Sequence, residues 1–214
     1  MTSKHYATAL RTRLHLPHPT PNASCQHHNA QRTCTAQVDR RGRHAEACPI
    51  GGYSVQTHDA IRDALAAWLH ALGFPFQTEQ RVPALDTPMT DGTTEHAILD
   101  ITTTIHGTPY YIDITVTTAH TTDPDRARKR AQTDAAAATE RENYKQRRYG
   151  RHPNLVPFVL EGLGRWGHQA HEFVRRVAPE DPAQRSAHMA QLRHTLATVL
   201  QRGRADALIA SHGL

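Results

Sequence analysis

Two aspartates carry the sharpest local chemistry in this 214-residue chain. Asp100 and Asp113 lie in the segment AILDITTTIHGTPYYIDITVT, each inside a run rich in β-branched residues. Aspartate is depleted in strands, so two in neighbouring strand-like runs call for a reason. Alternation puts Leu99, Ile101 and Ile105 on one face of the first strand, and Asp100, Thr102 and Thr104 on the other. In the second strand Tyr110, Ile112, Ile114 and Val116 form the apolar stripe, while Asp113, Thr115 and Thr117 point the opposite way. A two-residue turn at His106-Gly107, where glycine tolerates positive φ, pairs Ile105 with Thr108. Counting outward, Ile101 meets Ile112 and Asp100 meets Asp113. The apolar stripes then share a face, and a one-residue slip would set each against polar side chains. Carboxylates facing each other with Cβ atoms about 5 Å apart repel unless a cation sits between them. A hard divalent ion, Mg²⁺ or Mn²⁺, suits oxygen ligands in that position. The alternative is a pair of strand-end aspartates turned to solvent.

A second constellation is the segment CQHHNAQRTCTAQVDRRGRHAEAC, which offers Cys25, Cys34, His44 and Cys48 as tetrahedral ligands for a structural Zn²⁺. The His44-x3-Cys48 half has ordinary ligand spacing. The gap between Cys25 and Cys34 is long, and His27 or His28 is an alternative fourth ligand. The stretch is polar and poor in core residues, so hydrophobic burial alone cannot fold it. Three cysteines, an odd number, argue against a disulfide framework.

These groups need elements to place them. A short helix is expected over Tyr6–Leu14, followed by the proline-rich LPHPTPN. Ile61, Leu65, Trp68, Leu69 and Leu72 recur at helical steps, which predicts a helix from Val55 to Leu72, stopped by Gly73 and Pro75. A strand over Phe76–Val82, a loop over Pro83–Gly92 and the aspartate strands follow. Pro124 opens an alanine-rich segment read as one long helix to about Tyr149. Asn154–Glu161 reads as a buried strand despite Pro157, and helices are expected over His168–Val177 and Pro182–Arg202. The order predicts a mixed α/β chain with an N-terminal arm and knuckle at 1–52, a core at 53–180 and a C-terminal helix at 181–214. No apolar run is long enough to span a membrane, and the N-terminus lacks a secretory h-region, which points to an intracellular protein.

Lysine and arginine total 25 against 20 acidic residues, a net charge of +5. Arginine dominates, which suits bidentate contact with phosphate oxygens. The basic run Arg126, Arg128, Lys129 and Arg130 is a candidate DNA-backbone contact, and a solvated helix face is the alternative. Lys145 lies on a helical line with Arg141 and Tyr149 and is one of three lysines in the chain, with Lys4 and Lys129. From spacing alone it is either a solvated base or a residue able to reach the aspartates.

Two carboxylates on adjacent strands with a nearby lysine resemble the phosphodiester-cleaving site of PD-(D/E)XK nucleases. The usual lysine position, two residues after the second acid, here holds Thr115. The ordered set of motifs resembles more closely the restriction-like endonuclease domain of site-specific, non-long-terminal-repeat retrotransposon polyproteins. The knuckle Cys34-TAQV-Asp39-RR-Gly42-R-His44-AEA-Cys48 is followed by GGYSVQTHDAIRDAL with His58. An acidic residue, Glu79, comes next, then Leu99-Asp100 and Asp113-Ile-Thr-Val116. The set closes with Lys145-QR-Arg148-Tyr149-Gly150 and LVPFVLEGLGRWG. The resemblance covers about residues 8–180. It implies a PD-(D/E)XK restriction-endonuclease-like α/β core behind an N-terminal zinc knuckle. It also implies DNA cleavage with Asp100 and Asp113 on Mg²⁺, Lys145 as the missing lysine and Glu79 as an auxiliary acid. Arg148 joins the candidate DNA contacts, Glu161 is read as capping the glycine-rich turn, and a nuclear location follows from the same likeness. The first knuckle gap is expanded and the arginine before the first aspartate is absent, and with no reverse transcriptase in these 214 residues the expectation is a fragment, a truncated copy or a stand-alone relic. The expected function is therefore an endonuclease of retrotransposon origin. The alternatives are a catalytically inactive DNA- or RNA-binding relic and a zinc-stabilised interaction module.

Overall fold

The computed structural model describes residues 2–20, 22, 24–121 and 123–214 and is a mixed α/β protein. It divides into two compact units. One comprises residues 1–61 and 197–214, the other residues 62–196. This differs from the expected segments 1–52, 53–180 and 181–214, and the division falls inside two helices, α3 (Tyr53–Ala71) and α7 (Pro182–His212). Helix α7 runs ten residues beyond its expected end at Arg202. Gly203 does not stop it, because that glycine is a site of close approach: a Cβ there would lie 2.1 Å from Thr57 Oγ1.

Within residues 62–196 a four-stranded sheet has the order β1-β4-β5-β6, from Phe76–Arg81, Ile98–Ile105, Thr108–Thr117 and Leu155–Glu161. β1, β4 and β5 are antiparallel neighbours, and β6 joins β5 in parallel. A small hairpin of β2 (Thr87–Pro88) and β3 (Thr94–Glu95) occupies the expected loop after β1. The parallel β5–β6 pair requires a crossover, and α4 (Pro124–Gln132) and α5 (Ala136–Arg148) supply it. Pro157 is tolerated because β6 ends the sheet. Every residue of β6 is nevertheless buried, since α5 and α6 (His168–Val177) pack against it.

The β4–β5 hairpin has the expected register, from Ile105↔Thr108 to Ile101↔Ile112. His106 (φ 48°) and Gly107 (φ 78°) both take left-handed backbone, as a two-residue hairpin turn demands. Leu99, Ile101, Thr103 and Ile105 alternate inward along β4. Each apolar side chain so buried contributes about 1.5–3 kcal/mol.

The single long helix expected from Pro124 to Tyr149 is instead two. Thr133 and the left-handed Ala135 (φ 50°) interrupt it. The break re-aims the second half, so that Ala135 and Ala138 pack on Val159 of β6 and Glu161 Oε1 accepts a bond from the Ala138 N–H. Glu161 thus caps the start of α5. The glycine-rich turn that it was expected to cap is held by backbone bonds, from the Glu161 N–H to Arg165 O and from the Gly164 N–H to Glu161 O.

In the other unit, α1 (Ser3–Arg13), a short α2 (Arg43–Ala47) and the start of α3 surround the cysteine segment, together with the last turns of α7. The knuckle has too few apolar side chains for a core of its own. Residues 197–214 supply the missing surface, with Leu200 and Leu208 fully buried.

Candidate functional site

Alternation along β5 would leave Asp113 on a solvent face. The structure buries it, because α5 covers that face. Ala138, Glu142 and Lys145 form the inner line of α5, Tyr149 continues it at the helix end, and all four are buried. Lys145 Nζ donates to Asp113 Oδ1 at 2.8 Å and lies 2.7 Å from Oδ2, where the attraction is by charge without a directed hydrogen bond. The Tyr149 hydroxyl, at the residue that ends α5, also turns toward Asp113. Burial, and then the negative charge of Asp113, hold its phenol well above the ordinary tyrosine range, and the charge of Asp100 adds to the effect.

The register is the counted one, but Asp100 and Asp113, expected to face each other, are not a pair of the backbone ladder. The ladder stops at Ile101↔Ile112. Beyond that point the Asp100 side chain replaces a strand acceptor, and its Oδ2 takes the Ile114 N–H at 2.6 Å. The two acids are therefore linked through β5 itself, Asp100 onto Ile114 and Asp113 next to it. Asp100 is half-buried and Asp113 almost wholly so.

Glu79 sits at a left-handed kink of β1 (φ 54°), between the pairs Thr78↔Ile101 and Gln80↔Leu99. That places it in the row of Asp100, but its exposed carboxylate is bound by the Arg62 guanidinium. The structure thus brings together Asp113, Lys145 and, through Ile114, Asp100, and it gives Glu79 a different partner. Tyr149 is the participant that sequence reasoning missed. Its four-residue spacing from Lys145 was visible, but nothing local indicated that the shared line faces an acid.

The candidate phosphate contacts divide. Arg126 and Arg128 are exposed and only loosely paired, at 3.6 Å to Glu140 and 3.8 Å to Asp125. Lys129 is exposed. Arg130 is committed elsewhere: it pairs with Glu140 at 2.7 Å and donates to the Thr118 and Ala119 carbonyls. Arg148 pairs with Glu95 of β3 at 2.6 Å. Arg130 and Arg148 thus have acidic partners within the fold.

In the knuckle, Cys25, Cys34, His44 and Cys48 present Sγ and imidazole nitrogen atoms within 4.8 Å of one another, so this group can hold a metal ion such as Zn²⁺. The cysteines are all reduced and buried. Burial pushes the Cys48 thiol up to about 11, so a cation is needed to make it a thiolate at neutral pH. His44 Nε2 lies 3.3 Å from Cys34 Sγ. His27 is not a ligand, contrary to the alternative: its Nε2 faces the Ala207 carbonyl at 2.8 Å, its ring stacks on Tyr53, and desolvation lowers its pKa. His28 turns its Nδ1 to the Gln26 carbonyl.

The ligand positions are set by a turn. Asp39 accepts the Arg41 and His44 N–H groups, and Gly42 (φ 73°) lies against Leu208, where a Cβ would come within 2.1 Å. Ser211 Oγ donates to Cys25 Sγ, and the nearly buried Arg204 pairs with Glu46. The Asp-x-x-Gly-x-His spacing thus has a physical meaning: an acceptor for the turn, a residue without a side chain at the contact, and a ligand.

Among the described residues no helix is long and apolar enough to cross a membrane. The chain matches no family model and no curated protein.

Proposed function

We propose that this chain is a metal-dependent DNA endonuclease of retrotransposon origin, built on a PD-(D/E)XK-like core with a structural zinc knuckle. The observation that carries the reading is the Lys145–Asp113 contact of 2.8 Å. The lysine missing from position 115 is supplied from α5, at the second of two acids on adjacent strands. The donor set fits a hard divalent cation, with carboxylate oxygens on β4 and β5 and a buried Asp113 Oδ2 that lacks a directed hydrogen bond. When bound there, Mg²⁺ or Mn²⁺ supplies a more acidic water and charge neutralisation at the scissile phosphate. Asp100 and Asp113 hold the cation. Lys145 orients the attacking water and offsets charge developing on phosphate oxygens, and Tyr149 fixes the Asp113 carboxylate. Arg126, Arg128 and Lys129 are exposed enough to touch backbone phosphates. Duplex DNA in the nucleus is the substrate class this reading implies.

The test is nicking of supercoiled plasmid with Mg²⁺ or Mn²⁺. Wild type converts it to open circle, and Asp113→Asn and Lys145→Met lower the rate at least about a hundredfold, the scale of losing one charge-stabilising group. Equal cleavage by wild type and Asp113→Asn overturns the assignment.

A second reading is a nucleic-acid-binding relic without activity. It is favoured by one observation: both acids already have donors within the fold, Asp113 from Lys145 and Asp100 from the Ile114 N–H. Salt-sensitive DNA or RNA binding without any metal-dependent cleavage selects it.

A further inference from the structure

The net charge of the chain is confined to one of its units. Residues 1–61 and 197–214 hold nine lysines and arginines against four acids, a net of +5. Residues 62–196 hold sixteen of each and are neutral. The difference widens when partners are considered. In the charged unit, Asp39 is spent on backbone N–H groups and Glu46 on the nearly buried Arg204. Arg40, Arg41 and Arg43 are exposed on the turn between ligands Cys34 and His44; the Asp39 carboxylate acts on Arg43 by charge, but its oxygens are held by the Arg41 and His44 backbone N–H groups. Arg32 is exposed in the other knuckle loop, between the bridged His28 and Thr33. In the neutral unit, the basic run on α4 is offset by Asp125 and Glu140.

We infer that the phosphate backbone of DNA is gripped by the arginine turn at Arg40, Arg41 and Arg43, and not by the α4 run. This rests on the DNA-directed reading above and assigns its docking surface. The turn is suited to the task. Asp39, Gly42 and the ligands His44 and Cys34 fix its backbone, so the three guanidinium groups are presented from a rigid base at little conformational cost. Guanidinium matches phosphate geometry bidentately and keeps its charge at any working pH. A metal-held turn of this kind needs no apolar surface to bind, which agrees with how little the knuckle exposes.

The experiment measures the salt dependence of binding to a fluorescent DNA duplex by the full chain loaded with zinc. Each phosphate contact contributes about 0.9 to the slope of log K against log salt. Arg40→Gln/Arg41→Gln/Arg43→Gln is expected to reduce that slope by about 2 to 3. Arg126→Gln/Arg128→Gln/Lys129→Gln is expected to reduce it by less than about 1. The Arg40→Lys/Arg41→Lys/Arg43→Lys variant restores most of the slope, and zinc content reports that the knuckle is folded. If the glutamine triple variant fails to hold zinc, single Arg40→Gln and Arg41→Gln variants replace it, each expected to change the slope by about 1. An equal or larger effect from the α4 variant, no effect from the turn, or salt-independent binding overturns the inference. Plasmid nicking separates the two claims. Cleavage that needs Asp113 while the turn is inert leaves the nuclease standing without this surface. Turn-dependent binding with cleavage indifferent to Asp113 leaves the surface without the nuclease.

Discussion

The cysteine unit and the sheet unit stabilise themselves by different means. The sheet unit buries β-branched and aromatic side chains on a hydrogen-bonded ladder, and its ionised groups balance. The cysteine unit has a small cluster of Cys25, Cys34, Cys48 and Ile50 and the buried Ile61, Leu200 and Leu208, and adds side-chain bonds to backbone from Asp39 and His27 and the Arg204–Glu46 pair. The first kind of stability scales with buried area. The second depends on a few directional contacts and, where the cysteine and histidine group holds a metal ion, on that ion. The net positive charge thus falls on the unit with the smaller apolar core, whose loops are tied by directional contacts around a group that can hold a metal ion.

The largest test of that contrast is metal removal. A structural zinc site contributes about 10–16 kcal/mol to folding in small domains. Chelation, or Cys25→Ser, is expected to abolish hydrogen-exchange protection over residues 24–48 and the last turns of α7, and to leave β4, β5 and β6 protected. Simultaneous loss of protection in the sheet would show that the two units unfold as one.

Next in size is the buried pair. Lys145→Met leaves the Asp113 carboxylate uncompensated and should cost about 3–5 kcal/mol in denaturant unfolding of the sheet unit. The double variant Asp113→Asn/Lys145→Met should recover most of that loss, because no buried charge is then left alone. An unrecovered loss would mean that Lys145 contributes through packing of its methylene stem.

Gly42→Ala is smaller and belongs to the other unit. It places a Cβ on Leu208 and forces a non-glycine residue to φ 73°, for an expected cost of about 1–3 kcal/mol. The effect should appear as weaker zinc retention in a competition titration, with the sheet unchanged.

The smallest effect is a pH dependence in the sheet unit. Glu142 is buried, and its Oε1 accepts the Gln169 N–H at 2.9 Å at the start of α6. Desolvation raises its pKa above 4.5. A raised pKa means that the folded state binds the proton more tightly. The contribution to stability is then fully present below 4.5 and is lost as pH rises through the folded value. Glu142→Gln keeps the acceptor without the charge. It should raise Tm at neutral pH and leave it nearly unchanged at pH near 4, where Glu142 is protonated in both states. Destabilisation at neutral pH would show that the ionised carboxylate is the form the helix start needs.

Much of this was legible in local pattern. The two-residue turn set the hairpin register because strand side chains alternate with period two, and only one register puts both apolar stripes on one face. The cysteine and histidine quartet was legible because a polar segment without a core must be organised by something else. The break at Ala135 was not legible, since alanine favours helix and no proline or glycine marks the spot. It is imposed by packing on Val159 and by the Glu161 cap. The extension of α7 past Gly203 was hidden for a similar reason: a glycine that permits close contact looks in sequence like one that ends a helix.

The sequence by itself therefore determined the strands of the four-stranded sheet, the hairpin register, the cysteine and histidine quartet and the presence of two acids in adjacent strands, all of which follow from periodicity or residue chemistry over short spans. Only the tertiary structure decided that α5 covers the acid face, that Lys145 and Tyr149 converge on Asp113, that Asp100 bonds the Ile114 N–H instead of continuing the ladder, and that the end of α7 closes the knuckle. Those outcomes depend on contacts between residues far apart in the chain, whose energies come from shape and burial and leave no periodic trace in the order of amino acids.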